Sequence, residues 1–150
     1  MGNSPTEVVR RLYRALEDGR SGRELEPLLT EDAITITHPN LIAPRGSRAA
    51  RREMLAASEG GARLLAKQTY NIRSAIEVGD TAIVRLTWTG AVARSVGPFR
   101  EGQVLTAHIA QFVETREGRI ASIETFDCYD PFDEIPQLIP FVMSGRHGSS

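Results

Sequence analysis

The chain has 150 residues, of which 41% are hydrophobic and 25% charged, and its formal net charge is -1. This length suits one domain with its own core, and the small net charge argues against a protein that binds nucleic acid or anionic lipid. Cys128 is the single cysteine, and no stretch approaches the roughly 20 apolar residues of a membrane-spanning helix, so we expect a soluble cytoplasmic protein without an internal disulfide.

The N-terminal segment predicts a helix that begins after Ser4. Ser4 can cap it, Pro5 suits its first position, and Glu7 lies where a capping box places an acid. Apolar residues then recur at helical spacing until Gly19 and Gly22, which are expected to end the helix.

The next segment predicts short elements joined by turns. Residues 23–29 fit a second helix, residues 30–32 a turn, and the β-branched residues 33–37 a strand. A third helix is expected over residues 48–58 and should end at the two glycines 60 and 61. Helices therefore precede most of the predicted strands.

The second half of the chain predicts four long strands, over residues 69–78, 81–93, 102–114 and 119–129. Their connections are short, so consecutive strands should pair antiparallel. Strands of this length must twist and bend. We therefore predict an α+β fold in which N-terminal helices pack on a strongly curved antiparallel sheet, forming a cone around a small-molecule pocket.

The strand that contains residues 104–113 is apolar on both faces. Val104, Ala110 and Phe112 alternate with Leu105, Ile109 and Val113. A strand of this kind needs a cover on each side. We expect the helices and the pocket on one side and a second subunit on the other, which gives a homodimer through the outer face of the sheet.

We interpret residues 1–150 as one domain with a core over about residues 6–132. The segment 133–143 contains prolines that prevent a regular helix, and it is expected to be an extension that packs over the domain edge or a partner. Residues 144–150 are predicted to be disordered.

The order of elements resembles the SnoaL-like group of the NTF2-like superfamily. The resemblance spans about residues 6–132 and rests on several short motifs: Glu31-Asp32-Ala33 opening the first strand, His38-Pro39 ending it, Gly46 before the third helix, and Glu117-Gly118-Arg119-Ile120 at the last hairpin. It implies a cone-shaped α+β pocket. The superfamily contains isomerases, polyketide cyclases, dehydratases and non-catalytic modules, so the resemblance does not select a reaction.

Several residues depart from the catalytic patterns of that superfamily. Ketosteroid isomerases place an aspartate where His38 stands, and SnoaL-type cyclases place one on the strand where Gln111 stands. Limonene epoxide hydrolases use an Arg-x-Asp step, of which Arg85 keeps the arginine while Thr87 replaces the aspartate. Asp127 matches their aspartate on the last strand.

Asp127 is the strongest candidate for a catalytic residue. Strand alternation places it on one face with Ile123 and Thr125. A carboxylate buried between apolar positions has a raised pKa and can act as a general acid or base near neutral pH. The alternative is that it accepts backbone N–H groups at the strand end.

Two histidines are further candidates. His38 follows Ile34 and Ile36 on one face of the first strand and, at a cavity, would suit a proton shuttle. His108 could donate to a carbonyl group or orient Asp127. Structural alternatives are a rim histidine bonded to a loop carbonyl and a satisfied core histidine.

The remaining candidates would contact a ligand. They are the residues that offer aromatic area, a hydroxyl, an amide or a cation toward the pocket: Tyr13, Thr37, Arg85, Trp88, Gln111 and Tyr129. Each could instead belong to the core or to a dimer interface. Cys128 alternates away from Asp127, and the histidines lack metal-ligand spacing, so we expect neither a cysteine nucleophile nor a metal.

Two functional hypotheses follow. The first is a cofactor-free isomerase, cyclase or dehydratase that acts on a small apolar carbonyl or epoxide-type metabolite. Asp127 and His38 would exchange protons at one cavity, while His108 or Gln111 polarises an oxygen. The second is a non-catalytic module that binds a hydrophobic ligand or serves as a dimeric scaffold, with pocket polar groups already paired with each other.

Overall fold

The computed structural model describes residues 3–132. Its helices are α1 (Pro5–Glu17), a 3₁₀ helix (Gly22–Leu28) and α2 (Arg51–Leu64). Its strands are β1 (Leu29–Thr37), β2 (Ser47–Ala50), β3 (Leu65–Val78), β4 (Thr81–Val92), β5 (Val104–Arg116) and β6 (Arg119–Tyr129). The predicted extension 133–143 and tail 144–150 lie outside the described residues.

The strands form one curled but unclosed sheet in the order β2-β1-β6-β5-β4-β3. Strands β3 to β6 pair antiparallel in succession, which confirms the predicted meander and the α+β fold. Strand β1, however, pairs parallel with β6, so the sheet is mixed. A parallel pair needs a long connection between its strands, and here the rest of the sheet and α2 supply it.

Helix α1 begins where the sequence predicts. Ser4 Oγ accepts a hydrogen bond of 3.2 Å from the backbone N–H of Glu7, whereas the Glu7 carboxylate binds Arg14 at 2.8 Å. The apolar side of α1 packs on the sheet, and Val8 and Val9 are almost fully buried. Each such aliphatic side chain stabilises the fold by about 1.5–3 kcal/mol. We call the sheet face against α1 the inner face and the opposite one the outer face.

Three local predictions are wrong, and tertiary contacts explain each of them. Residues 30–32 belong to β1, because β1 pairs with β6 on both sides of them, at Leu29 and again from Ile34. Residues 47–50 form β2 by pairing with β1, which delays α2 until Arg51. The glycines at 60 and 61 lie inside α2, since packing against the other elements overrides their low helix propensity.

The outer face of the sheet carries exposed apolar side chains. Val104 is 65% exposed, and Phe112 and Phe126 are each 39% exposed. The inner-facing residues of β5, such as Leu105 and Val113, are buried. Both faces of β5 are therefore apolar, but within residues 3–132 only the inner one is covered.

Candidate functional site

A cavity of about 360 Å³ lies between the helices and the inner face of the sheet. Its lining is mostly aliphatic and includes Leu16, Leu25 and Met54. Polar side chains enter from β1 and β3, namely Thr35, Thr37, Gln68 and Tyr70. Such a pocket suits a small, largely apolar molecule whose polar groups lie toward the strands.

Asp127 lies on the predicted face of β6, together with the inward-facing Ile123 and Thr125. Its Oδ1 accepts a hydrogen bond of 2.5 Å from Thr125 Oγ1. Burial raises the pKa of this carboxyl group, and the hydrogen bond from Thr125 opposes that effect. Asp127 does not itself line the cavity. Thr125, two residues earlier on the same face, is in register with the cavity residue Thr37, and the charge of Asp127 acts on the cavity residue Tyr70.

A chain of hydrogen bonds ends at this carboxylate. Tyr13, on α1, donates from its hydroxyl to Gln111 Oε1 over 2.6 Å. Gln111, on β5, donates from Nε2 to Thr125 Oγ1 over 3.1 Å. Thr125 then donates to Asp127. The site thus joins one helix and two strands through paired polar groups.

Three tyrosines lie close enough to Asp127 for its charge to act on them. Tyr13 stacks on Tyr70 with ring centroids 4.6 Å apart and an interplanar angle of 14°. Burial raises the pKa of Tyr13 and of Tyr70, and raises the pKa of Tyr129 to about 12, with the charge of Asp127 adding to each effect. All three are therefore neutral hydroxyl donors at physiological pH.

Trp88 is also on the inner face, where it packs against the hydrophobic core together with Tyr129. Its Nε1 donates to Gln68 Oε1 over 2.9 Å, and its ring meets Tyr129 edge-on at 6.3 Å. Six of the predicted site residues are thus brought to one side of the sheet: Tyr13, Thr37, Trp88, Gln111, Asp127 and Tyr129.

The expected convergence of His38 with Asp127 is wrong. His38 lies on the outer face, where its ring stacks on Phe126 at 4.2 Å and its Nε2 lies 2.7 Å from Glu124 Oε2. The cause is the parallel pairing of β1 with β6, which turns Thr37 inward beside Thr125 and the flanking residues outward.

His108 and Arg85 are also on the outer face. The exposed His108 side chain lies 3.0 Å from Asp130 Oδ1 and is in register with the exposed Cys128. Arg85 is exposed and in register with Ala110. Neither side chain reaches the inner cavity. Of the two candidates for polarising a ligand oxygen, His108 and Gln111, only Gln111 faces inward, because side chains three positions apart on a strand point to opposite faces.

Three residues of the site were not singled out by the sequence. Thr125 was noted only as a neighbour of Asp127, and Gln68 and Tyr70 were not assigned a face. Gln68, Tyr70 and Ile72 occupy every second position along β3, and this period of two could have predicted that they share one face of the sheet. Their role depends on the helices that pack above them.

The described residues contain no group of three histidine, cysteine, aspartate or glutamate side chains that could hold a metal ion. The sheet itself separates Asp127 from both histidines discussed above. No helix between residues 3 and 132 is long and apolar enough to cross a bilayer.

Comparisons with known proteins agree with this architecture. A family model described as a SnoaL-like domain matches residues 9–123. Among solved structures, IdmH from Streptomyces antibioticus, described as a candidate polyketide cyclase, is 20% identical, with a TM-score of 0.67 over 82% of this chain and 91% of its own. AclR from Streptomyces galilaeus, described as a candidate hydroxylase, is 11% identical, with a TM-score of 0.71 over 100% of both chains.

A protein from Catenulispora acidiphila with a ketosteroid isomerase-like fold, solved in complex with trimethylamine, is 18% identical, with a TM-score of 0.61 over 79% of this chain and 83% of its own. No curated protein matches the chain significantly. At these identities the structural likenesses establish the fold, and the reaction has to be argued from the site.

Proposed function

Since the chain belongs to the SnoaL-like domain family, we propose that it is a cofactor-independent enzyme that isomerises, cyclises or dehydrates a small, largely apolar carbonyl or epoxide-type metabolite by acid–base chemistry. The observation that carries this proposal is Asp127, a half-buried carboxylate with a raised pKa on the same face of the sheet as an apolar cavity. Carboxylates perturbed in this way cluster at catalytic sites.

The proposed chemistry needs one base and one oxygen-stabilising donor. Asp127 would remove a proton from carbon next to a carbonyl group, and a neutral tyrosine hydroxyl would stabilise the resulting oxyanion. Tyr70, which lines the cavity, and Tyr129 are suited to that second role. His38 and His108, on the outer face, are left without a part in the mechanism. The description of IdmH as a candidate polyketide cyclase supports a substrate rich in carbonyl groups.

A second function, a non-catalytic binding module, is favoured by a different observation. Tyr13, Gln111, Thr125 and Asp127 are already hydrogen-bonded to each other, which is what a pocket that only holds an apolar ligand would show. The two functions differ in one measurable respect: only the enzyme exchanges a proton with its ligand.

The test is deuterium exchange and turnover, followed by NMR, on a panel of cyclic ketones, β-diketones and epoxides in heavy water. The enzyme proposal expects exchange or turnover by the wild type and a loss of at least about 100-fold in Asp127→Asn. His38→Gln and His108→Gln are matched controls and should keep the wild-type rate. Binding of panel compounds without exchange or turnover would favour the module.

We also propose that the protein is a homodimer through the outer face of the sheet. Ile76, Phe112 and Phe126 are exposed there, and the two phenylalanine rings meet edge-on at 6.1 Å. Exposed aromatic and aliphatic groups in one patch are typical of subunit interfaces. Sedimentation should give a dimer for the wild type and a monomer for Phe112→Glu, whereas a monomeric wild type would refute the proposal.

A further inference from the structure

The chain of hydrogen bonds that ends at Asp127 has a direction. A hydroxyl group has one hydrogen to donate, and an amide has an NH₂ end and an oxygen end. In the structure Tyr13 donates to Gln111, Gln111 donates to Thr125, and Thr125 donates to Asp127 Oδ1. Every hydrogen in the chain therefore points toward the carboxylate.

The reverse direction is chemically possible but unfavourable. The Gln111 amide would flip, Thr125 would donate to its oxygen, and Asp127 would have to carry a proton on Oδ1. The hydroxyl hydrogen of Tyr13 would then lose its acceptor, because Gln111 is the hydrogen-bond partner of that hydroxyl within residues 3–132. Tyr13 is only 3% exposed, and an unpaired buried donor is costly.

We infer that Tyr13, Gln111 and Thr125 are positioning residues whose hydrogen bonds keep Oδ1 of Asp127 as an acceptor and leave Oδ2 as the atom that exchanges a proton with the ligand. Among the described residues no hydrogen bond reaches Oδ2. The catalytic consequence rests on the proposed function, whereas the direction of the hydrogen bonds does not.

In the proposed proton transfer, the substrate C–H bond breaks, the proton forms an O–H bond with Oδ2, and the electron pair stays on the substrate as an enolate. The same proton is then returned from Oδ2 to another carbon or to a leaving oxygen. Thr125 keeps its hydrogen bond to Oδ1 throughout, so the carboxyl group does not rotate during the cycle.

The titratable groups whose pKa responds to the charge of Asp127 come from three elements: Tyr13 from α1, Tyr70 from β3 and Tyr129 from β6. All three are neutral at physiological pH, so no cation among them stabilises the carboxylate. The hydrogen bond from Thr125 is then the contact that does. Removing that contact should raise the pKa of Asp127.

The experiment is a ¹³C NMR titration of the Asp127 carboxyl carbon in the wild type and four variants. Thr125→Val should raise the pKa by about one unit, and Thr125→Ser should restore it. Tyr13→Phe should also raise it, by less, because the amide of Gln111 becomes free to flip. Thr37→Val is the matched control, since Thr37 is the register neighbour of Thr125 but is not bonded to Asp127, and should leave the titration unchanged.

The inference would be overturned if Thr125→Val raised the pKa of Asp127 while Tyr13→Phe left it unchanged. That result would mean that the hydroxyl of Tyr13 does not determine the direction of the hydrogen bonds that lead to Asp127. Amide spectra check that each variant is folded, and Gln111→Leu interrupts the chain one step later if Tyr13→Phe does not fold. The titration needs no substrate, so its failure is separate from failure of the proposed enzyme. Where turnover is found, the pH profile of kcat should shift with the titration.

Discussion

Replacement of Gly60 by alanine should stabilise the helix that covers the cavity. Gly60 lies inside α2, and a Cβ atom built on it has no neighbour within 4 Å. Alanine is about 1 kcal/mol more favourable than glycine in a helix interior, because it has less backbone freedom to lose on folding. Because a methyl group at this position would meet open space, the substitution leaves the packing of α2 unchanged.

The expected gain of about 1 kcal/mol corresponds to a rise of about 3 °C in the melting temperature for a chain of this size. Thermal unfolding followed by circular dichroism gives the temperature, and amide hydrogen exchange should show stronger protection confined to α2.

Gly79→Ala is the matched control, because its Cβ would also have no neighbour within 4 Å but its φ is +59°. This left-handed conformation costs an L-residue about 1 kcal/mol, so the same change should lower the melting temperature. A fall, or no change, in Gly60→Ala together with a fall in Gly79→Ala would refute the helical assignment at Gly60.

Two further predictions concern stability. The pKa of the Asp127 carboxyl is raised by burial, so its charge destabilises the fold once the pH exceeds the unfolded value of about 3.9, and the penalty is complete above the folded value. Asp127→Asn should therefore raise the urea midpoint at pH 7 and by much less at pH 3, and an equal gain at both would contradict this cause. Ser4→Ala removes the cap of α1 and should cost about 1 kcal/mol, measured by urea unfolding, whereas Ser4→Asp should keep most of the stability.

Features set by neighbouring residues were predictable from the sequence. Ser4 and Pro5 mark the start of α1 because capping chemistry involves only the next few backbone groups. The short turns between the last four strands impose antiparallel neighbours, so the meander follows. Strand alternation groups Asp127 with Thr125 because the period of two is a property of the extended backbone itself.

The tertiary structure alone decided which face is inside. Alternation states that His38 shares a face with Ile36, but the direction of that face depends on the pairing of β1 with β6, more than 80 residues later. The same distant pairing brings residues 30–32 into the sheet. The glycines of α2 stay helical for a similar reason, since contacts with other elements outweigh a local preference of about 1 kcal/mol. Local chemistry thus determines the elements and their periodicity, whereas long-range pairing determines which side chains meet at the cavity.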